Sequence, residues 1–337
     1  MFDIRCKADG FMPNRRVLVV SDLHGSKMAY GKLSNAPKIY KCEMVILAGD
    51  LTGKAVVPIV RKADGEYDVV IFGDYRTIKE SELEHTIKTI EMSGYYTAVM
   101  NKDEYLEISS DEGKIRDLFL TVEREKLVEA LTQIESKFNQ DNVKLFLMPG
   151  NDDSESVSKF LDEFTDGSRT FIDIDEGVAN FEGIQLLGFG YSNRTPWNSP
   201  RELAEEEIEK RLSALFERAE IGKMKKTIAV IHVPPYDTVI DKAPELTKDI
   251  RPVIKGGDVV MKSVGSVAVR SLLGEYSPML GVHGHIHESA GVDNIISKSS
   301  VKIPVVNAGS EYQDGVLRGA LLSISDDGVE NIMLTRG

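Results

Sequence analysis

Five short apolar runs in this chain end in the same kind of chemistry. RVLVVSDLH, MVILAGD, LFLMPGND, TIAVIH and VHGHIH each give way to Asp, Asn or His within a residue or two of the last aliphatic side chain. Runs of this length, rich in Val, Ile and Leu and closed by Gly, Pro or Asp, read as strands buried on both faces, the kind that parallel sheets require. Such strands carry the residues that follow them to the rim of a sheet, so the rim is where function is expected. A polar helix near 26–36 and the amphipathic stretches EREKLVEALTQIESKF and RELAEEEIEKRLSALFERAE fall between the runs, the last with its charges outward.

From about residue 170 strands predominate: FIDID, a hairpin VANFEGIQLLGFG turning at Glu182-Gly183, then KIPVVNA, LRGALLSIS and VENIMLT. This order predicts an α/β chain of two sheets packed face to face and flanked by helices. Between LAGDLTGK and LFLMPGND lie roughly 90 residues that a simple crossover does not need. About residues 54–112 are expected to be inserted, as a hairpin turning at Asp64-Gly65, a helix KESELEHTIKTIEMSG capped by Gly94, and a strand YYTAVM. This element reads as a cap on the active site, a surface for homo-oligomer formation, or decoration.

A formal charge of −13 argues against a long nucleic acid as partner, because tracking a phosphate backbone needs clustered Lys and Arg. It leaves room for a small anion, since bound cations can dominate the field of a pocket. Cys6 and Cys42 are too few for a disulfide framework, so any metal site should use oxygen and nitrogen. The N-terminus shows no apolar signal core and no run approaches a membrane span, which predicts a cytoplasmic protein with no membrane partner.

Asp22 and His24 follow the first run with the two-residue period that turns both the same way past a strand end. Asp50 ends the second run, where it reads either as a carboxylate able to bridge cations or as a turn residue. Asn151 could offer an amide oxygen to a hard or borderline metal. His232 closes TIAVI just before Val233-Pro234-Pro235, where the prolines stop the ladder. His283, His285 and His287 alternate in VHGHIHES, an arrangement hard to bury in a core, and His285 and His287 read as ligands. His283 reads either as a strand-end residue or as support for the ligands, and His85 as solvated surface.

In order, DLH, GD, GND, H and GHIH make the chain resemble the calcineurin-like metallophosphoesterases, over about residues 16–325 apart from the insert. GFGYSNRTPWNSPRE, HVPPYDT, SVGSVAVR and GHIHESAG further resemble a prokaryotic branch of predicted phosphoesterases related to cyclic-nucleotide phosphodiesterases. The resemblance implies one domain over 1–337 with a four-layer α/β/β/α sandwich and two divalent cations, manganese favoured and iron or zinc also compatible. One cation would be held by Asp22, His24, Asp50 and His287, the other by Asp50, Asn151, His232 and His285, with Asp50 bridging. It implies hydrolysis of a phosphate ester by a water shared between the cations, with Asp50, Asn151, Asp152 and His232 in catalytic positions and Asn307 and Ser310 orienting ligands.

Asp152 departs from the pattern, standing where many relatives have His. An ionised carboxylate there repels a phosphate, so it must be turned away, paired with a cation or protonated as a general acid; otherwise it is a helix cap for SESVSKFL. Trp197, with Tyr191 and Arg194, reads as a stacking platform or a structural anchor. The expected substrate is a small phosphodiester such as a nucleotide derivative. A phosphomonoester and a non-catalytic metal-binding scaffold are the alternatives.

Overall fold

The computed structural model describes residues 15–337; Cys6 lies outside the described residues. The chain forms an α/β fold around two six-stranded sheets. The first runs in the order Gly328–Arg336, Arg318–Ser325, Arg15–Val20, Met44–Ala48, Lys144–Met148 and Phe171–Asp173, its last four strands mutually parallel. The second runs Gly291–Ile296, Lys302–Asn307, Leu280–His283, Thr227–Ile231, Ile184–Phe189 and Val178–Phe181, with the inner four parallel and an antiparallel strand at each edge.

The apolar runs are continuous because both faces of each strand are covered. Successive side chains point to opposite faces, and Leu18, Val20, Val45, Leu47, Leu145 and Leu147 join one cluster with Leu127, Leu131, Ile134, Val157 and Leu161 of two helices. Their neighbours Val17, Val19, Ile46, Ala48, Phe146 and Met148 join a second cluster with Leu186, Ile228, Val230, Val282 and Val306 of the other sheet. On the far side of that sheet, Leu187, Phe189, Ala229 and Ile231 meet Ile208, Leu212, Val269 and Leu273 of the helices Glu205–Arg218 and Val267–Tyr276. Each large aliphatic side chain so buried stabilises the fold by roughly 1.5–3 kcal/mol.

Residues 56–101 build a separate four-stranded sheet in the order Asp74–Ile78, Tyr67–Ile71, Val56–Arg61, Tyr96–Asn101. The helix Glu80–Met92 seals one face through a cluster of its own that includes Ile59, Val69, Ile78 and Ile90. The expected hairpin turns at Asp64-Gly65, the expected helix ends before Gly94 at φ +79°, and the strand Asp74–Ile78 is an addition that DYRTI did not signal. The helix expected around EREKLVEALTQIESKF runs much further, from Glu112 to Asp141, and the one near 26–36 is two short helices, Lys27–Leu33 and Ala36–Tyr40. No helix among the described residues is long and apolar enough to cross a membrane.

Candidate metal centre

The parallel strands of both sheets point their C-terminal ends at one rim, and the side chains that follow them converge there. Val20 leads to Asp22 and His24, Ala48 to Asp50, and Met148 to Asn151; across the seam Ile231 leads to His232, and His283 to His285 and His287. Asp22, His24, Asp50 and His287 form a cluster able to hold a metal ion, each offering one ligand atom within 4.8 Å of the others. Nε2 of His24 lies 3.0 Å from Nε2 of His287 and 3.5 Å from Oδ2 of Asp50, and Nε2 of His287 lies 3.4 Å from Oδ1 of Asp22.

Beside this cluster, Oδ1 of Asn151 sits 3.0 Å from Nε2 of His232 and 2.7 Å from Nδ1 of His285. Asp50 belongs to both groups, because its Oδ2 is also 3.4 Å from Nε2 of His232. Donors bound to a first-row cation at about 2.1 Å stand roughly 3.0–3.4 Å apart, and the separations here run from 2.7 to 3.5 Å. The donors are carboxylate, amide oxygen and imidazole without thiolate, a set that fits a divalent cation of intermediate hardness.

The backbone is bent to achieve this. Asp22, His24, Asp50 and His285 have φ of 57°, 43°, 53° and 66°, the left-handed region that side chains other than Gly seldom adopt. Residues so held cost of order 1–3 kcal/mol each and persist only where their surroundings over-determine them. Space is equally tight. A Cβ on Gly150 would lie 2.1 Å from Oδ1 of Asp50, and one on Gly284 would lie 1.9 Å from the Ser21 hydroxyl and 2.5 Å from Oδ2 of Asp22. The glycines of the GN and GH pairs are therefore the floor against which the carboxylates rest.

Protonation follows from burial and neighbours. Burial would raise the Asp22 carboxyl, but the His287 hydrogen bond and the charge of His287 and His232 hold it well below the usual range. Burial pushes His24 down and His285 down to about 3, keeping both neutral, the form that binds a cation. Burial also opposes charge on His232, yet Asp50 and Asp22 outweigh it and lift that ring to about 10. Nδ1 of His232 lies 2.7 Å from the carbonyl of Ala48, a hydrogen bond that leaves Nε2 facing Asp50 and Asn151.

Asp152 is paired with a cation. Its Oδ2 lies 2.7 Å from Nζ of Lys54, and its Oδ1 accepts from the Ser199 hydroxyl at 2.5 Å and the Asn151 amide at 2.9 Å. Burial alone would raise its pKa, but the charge and hydrogen bond of Lys54 and the Ser199 hydroxyl hold the carboxyl well below the usual range, against the general-acid alternative. Nor does it cap a helix: that position belongs to Ser154, ahead of Glu155–Thr165. Lys54, Asp152, Trp197, Tyr236, His285 and His287 all line one cleft of about 820 Å³.

Asn307 and Ser310 act on backbone rather than on the imidazoles. The Asn307 amide donates to the carbonyl of Ile286 at 2.9 Å, between His285 and His287, and the Ser310 hydroxyl donates to the carbonyl of Asp22 at 2.6 Å. His283 is buried at its strand end, with Nδ1 2.8 Å from the carbonyl of Ile231 and its pKa pushed down to about 4 by burial. His85 is on the surface. Trp197 is 62% exposed and faces the cleft, so it anchors no core. Tyr191 is no platform, because its ring is buried between the guanidinium groups of Arg201 and Arg211, at 4.0 and 4.2 Å.

Two contributors were hidden from the sequence. Asp153, fully buried, accepts from the backbone N–H of Leu51, Thr52 and Gly150 at 2.9, 2.8 and 2.7 Å, tying the Asp50 loop to the Asn151 loop. Arg201 is buried against Asp175 at 2.6 Å, while its backbone N–H donates to the carbonyl of Asn151 at 3.1 Å.

No family model matches the chain. The uncharacterized protein MJ1162 of Methanocaldococcus jannaschii is 32% identical over 157 residues, which is 46% of this chain and 61% of that protein, so the match spans less than two thirds of the relative. A crystal structure superposes on 96% of this chain and 99% of its own with a TM-score of 0.56 at 15% identity, a likeness of fold alone. TT1561 of Thermus thermophilus covers the same shares at a TM-score of 0.49 and 14% identity.

Proposed function

We propose that this chain is a metal-dependent phosphodiesterase of the calcineurin-like metallophosphoesterase type, cleaving small phosphodiesters at a centre of two divalent cations. The observation that carries the reading is the position of Asp50, whose Oδ2 is 3.5 Å from Nε2 of His24 and 3.4 Å from Nε2 of His232. One carboxylate thus serves two adjoining donor groups. Asp22, His24 and His287 complete the first; Asn151, His232 and His285 complete the second. In this reading the two sheets and their outer helices are the layers of an α/β/β/α sandwich, and residues 54–112 are an insertion beside the site.

Two cations bound there would supply Lewis-acid charge to the phosphoryl oxygens and an acidified water for attack. The protein's share is placement. The left-handed backbone at Asp22, Asp50 and His285 aims the donors before any ligand arrives, and Asp153 and Ser310 brace the loops from behind. Manganese is our favoured metal, with iron and zinc fitting the same donors. A diester is our favoured substrate over a monoester, and the two chromogenic esters decide between them.

The test is hydrolysis of bis(p-nitrophenyl) phosphate and p-nitrophenyl phosphate by metal-stripped protein, then with manganese, zinc, iron(II) or magnesium restored. The expected result is metal-dependent cleavage of the diester ahead of the monoester, falling in Asp50→Asn by more than the roughly 10–100-fold typical of lost supporting contacts. Preference for the monoester would make the chain a phosphatase. Inactivity with every metal would leave a non-catalytic metal-binding protein.

A further inference from the structure

Asp152 poses an electrostatic problem in the cleft. Its carboxylate adjoins Asn151, lies 2.7 Å from the Lys54 ammonium, and lines the same 820 Å³ cleft as His285 and His287, where an anionic ester must enter. Three donors fix it: Lys54 at 2.7 Å, Ser199 at 2.5 Å and the Asn151 amide at 2.9 Å. Its own backbone N–H donates to Oδ1 of Asp50 at 2.9 Å, so the carboxylate is carried on the frame of the metal cluster.

Lys54 is exposed and lines the cleft with Asp50 and Asn151. Its ammonium has three N–H donors, and Asp152 is its sole ion-pair or hydrogen-bond partner among the described residues. The remaining donors are free for another oxygen. A half-exposed ion pair adds little to stability, so the pair is a weak structural device. What it does accomplish is to orient a positive charge and cancel a negative one at the mouth of an anion site.

We propose that the Lys54 ammonium, oriented by the carboxylate of Asp152, grips the phosphoryl oxygens of the ester in the cleft. The proposal rests on the phosphoesterase reading above and deepens it: Lys54 touches the substrate, and Asp152 is its positioning residue. Such a pair predicts a sign that a purely structural role does not. Removing Lys54 alone leaves a bare carboxylate facing the anion, and removing Asp152 as well relieves that repulsion.

The experiment measures inorganic phosphate binding by calorimetry to the manganese-loaded protein, together with diester kinetics, for wild type, Lys54→Met, Lys54→Arg and Lys54→Met/Asp152→Asn. Metal content and melting temperature accompany each variant. Phosphate affinity is expected to fall about 10–100-fold in Lys54→Met, as loss of a charge-assisted hydrogen bond implies, and KM for the diester to rise with it. Lys54→Arg should keep most of the affinity, and the double variant should bind more tightly than Lys54→Met. Unchanged affinity in Lys54→Met, or a double variant weaker than the single, overturns the assignment, as does a wild type that binds no phosphate. Should Lys54→Met not fold, Lys54→Gln is judged by the same criterion. A wild type that binds phosphate through Lys54 yet cleaves no ester removes the hydrolase reading and leaves the anion site standing.

Discussion

The carboxylate of Asp153 accepts two hydrogen bonds from Thr52, one from its backbone N–H at 2.8 Å and one from its hydroxyl at 2.6 Å, across a separation of 101 residues. With Leu51 and Gly150 as further donors, this one side chain fixes the distance between the loop of Asp50 and the loop of Asn151. Asp153→Asn would turn an amide donor toward groups that are themselves donors. The expected cost is about 2–4 kcal/mol of unfolding free energy in urea, with weaker manganese uptake. A variant as stable as wild type with the same metal content would mean that the loops hold their spacing without it.

Gly150→Ala tests crowding rather than hydrogen bonding. The added methyl would meet Oδ1 of Asp50 at 2.1 Å and its backbone nitrogen at 2.4 Å, so the loops must part. A loss of about 1–3 kcal/mol in stability and a clear fall in metal stoichiometry are expected. Full metal occupancy by elemental analysis would contradict the closeness described here.

Glu123 gives a pH signature away from the donors. Burial lifts its carboxyl to about 7 from 4.5, with Asp153 adding to the rise and hydrogen bonds from Ser154 and Thr52 opposing it. Between those pH values the folded protein holds more protons than the unfolded one, so stability falls as pH rises through the window and the whole penalty is present above about 7. Glu123→Gln should remove it, shrinking the difference in unfolding free energy between pH 5 and pH 8 by of order 1–3 kcal/mol. Parallel pH profiles in wild type and variant would refute this.

Arg201 is a buried cation whose nearest carboxylate is Asp175 at 2.6 Å, with the exposed Glu155 at 3.6 Å. Arg201→Met strands the Asp175 carboxylate, and a loss of about 3–5 kcal/mol is expected, with part of it recovered when Asp175→Asn is added. If the double variant is no better than the single, the pair is not what holds the Tyr191 region together.

The sequence was legible wherever a residue's job was decided by its neighbours along the chain. Apolar runs closed by Asp, Asn or His identified the strands and brought Asp22, His24, Asp50, Asn151, His232, His285 and His287 to notice, and the structure gathers these seven at one rim. Lys54 and Asp153 were not legible, because their partners lie about a hundred residues away and a Lys or a third acidic residue in GNDDS carries no periodicity. For Tyr191 the structure selects the anchor over the platform, a choice the chain could not make because a Tyr in a polar loop gives no sign that two arginines will enclose it. Lys242–Pro244 and Met261–Ser263, which pair across the cleft wall, are too short to stand out from surrounding loop.

Asp22, His24, Asp50 and Asn151 hang from one sheet; His232, His285 and His287 hang from the other. The spacing of the donors is therefore a gauge of the seam between the sheets, and that seam is filled by side chains such as Phe146, Ile228 and Val306. Changing the bulk of one of these alters the registry of two rigid slabs and so detunes the centre without touching a donor. Selection on chemistry at the rim then reaches deep into the apolar interior, where the width of a methyl group is the unit of calibration.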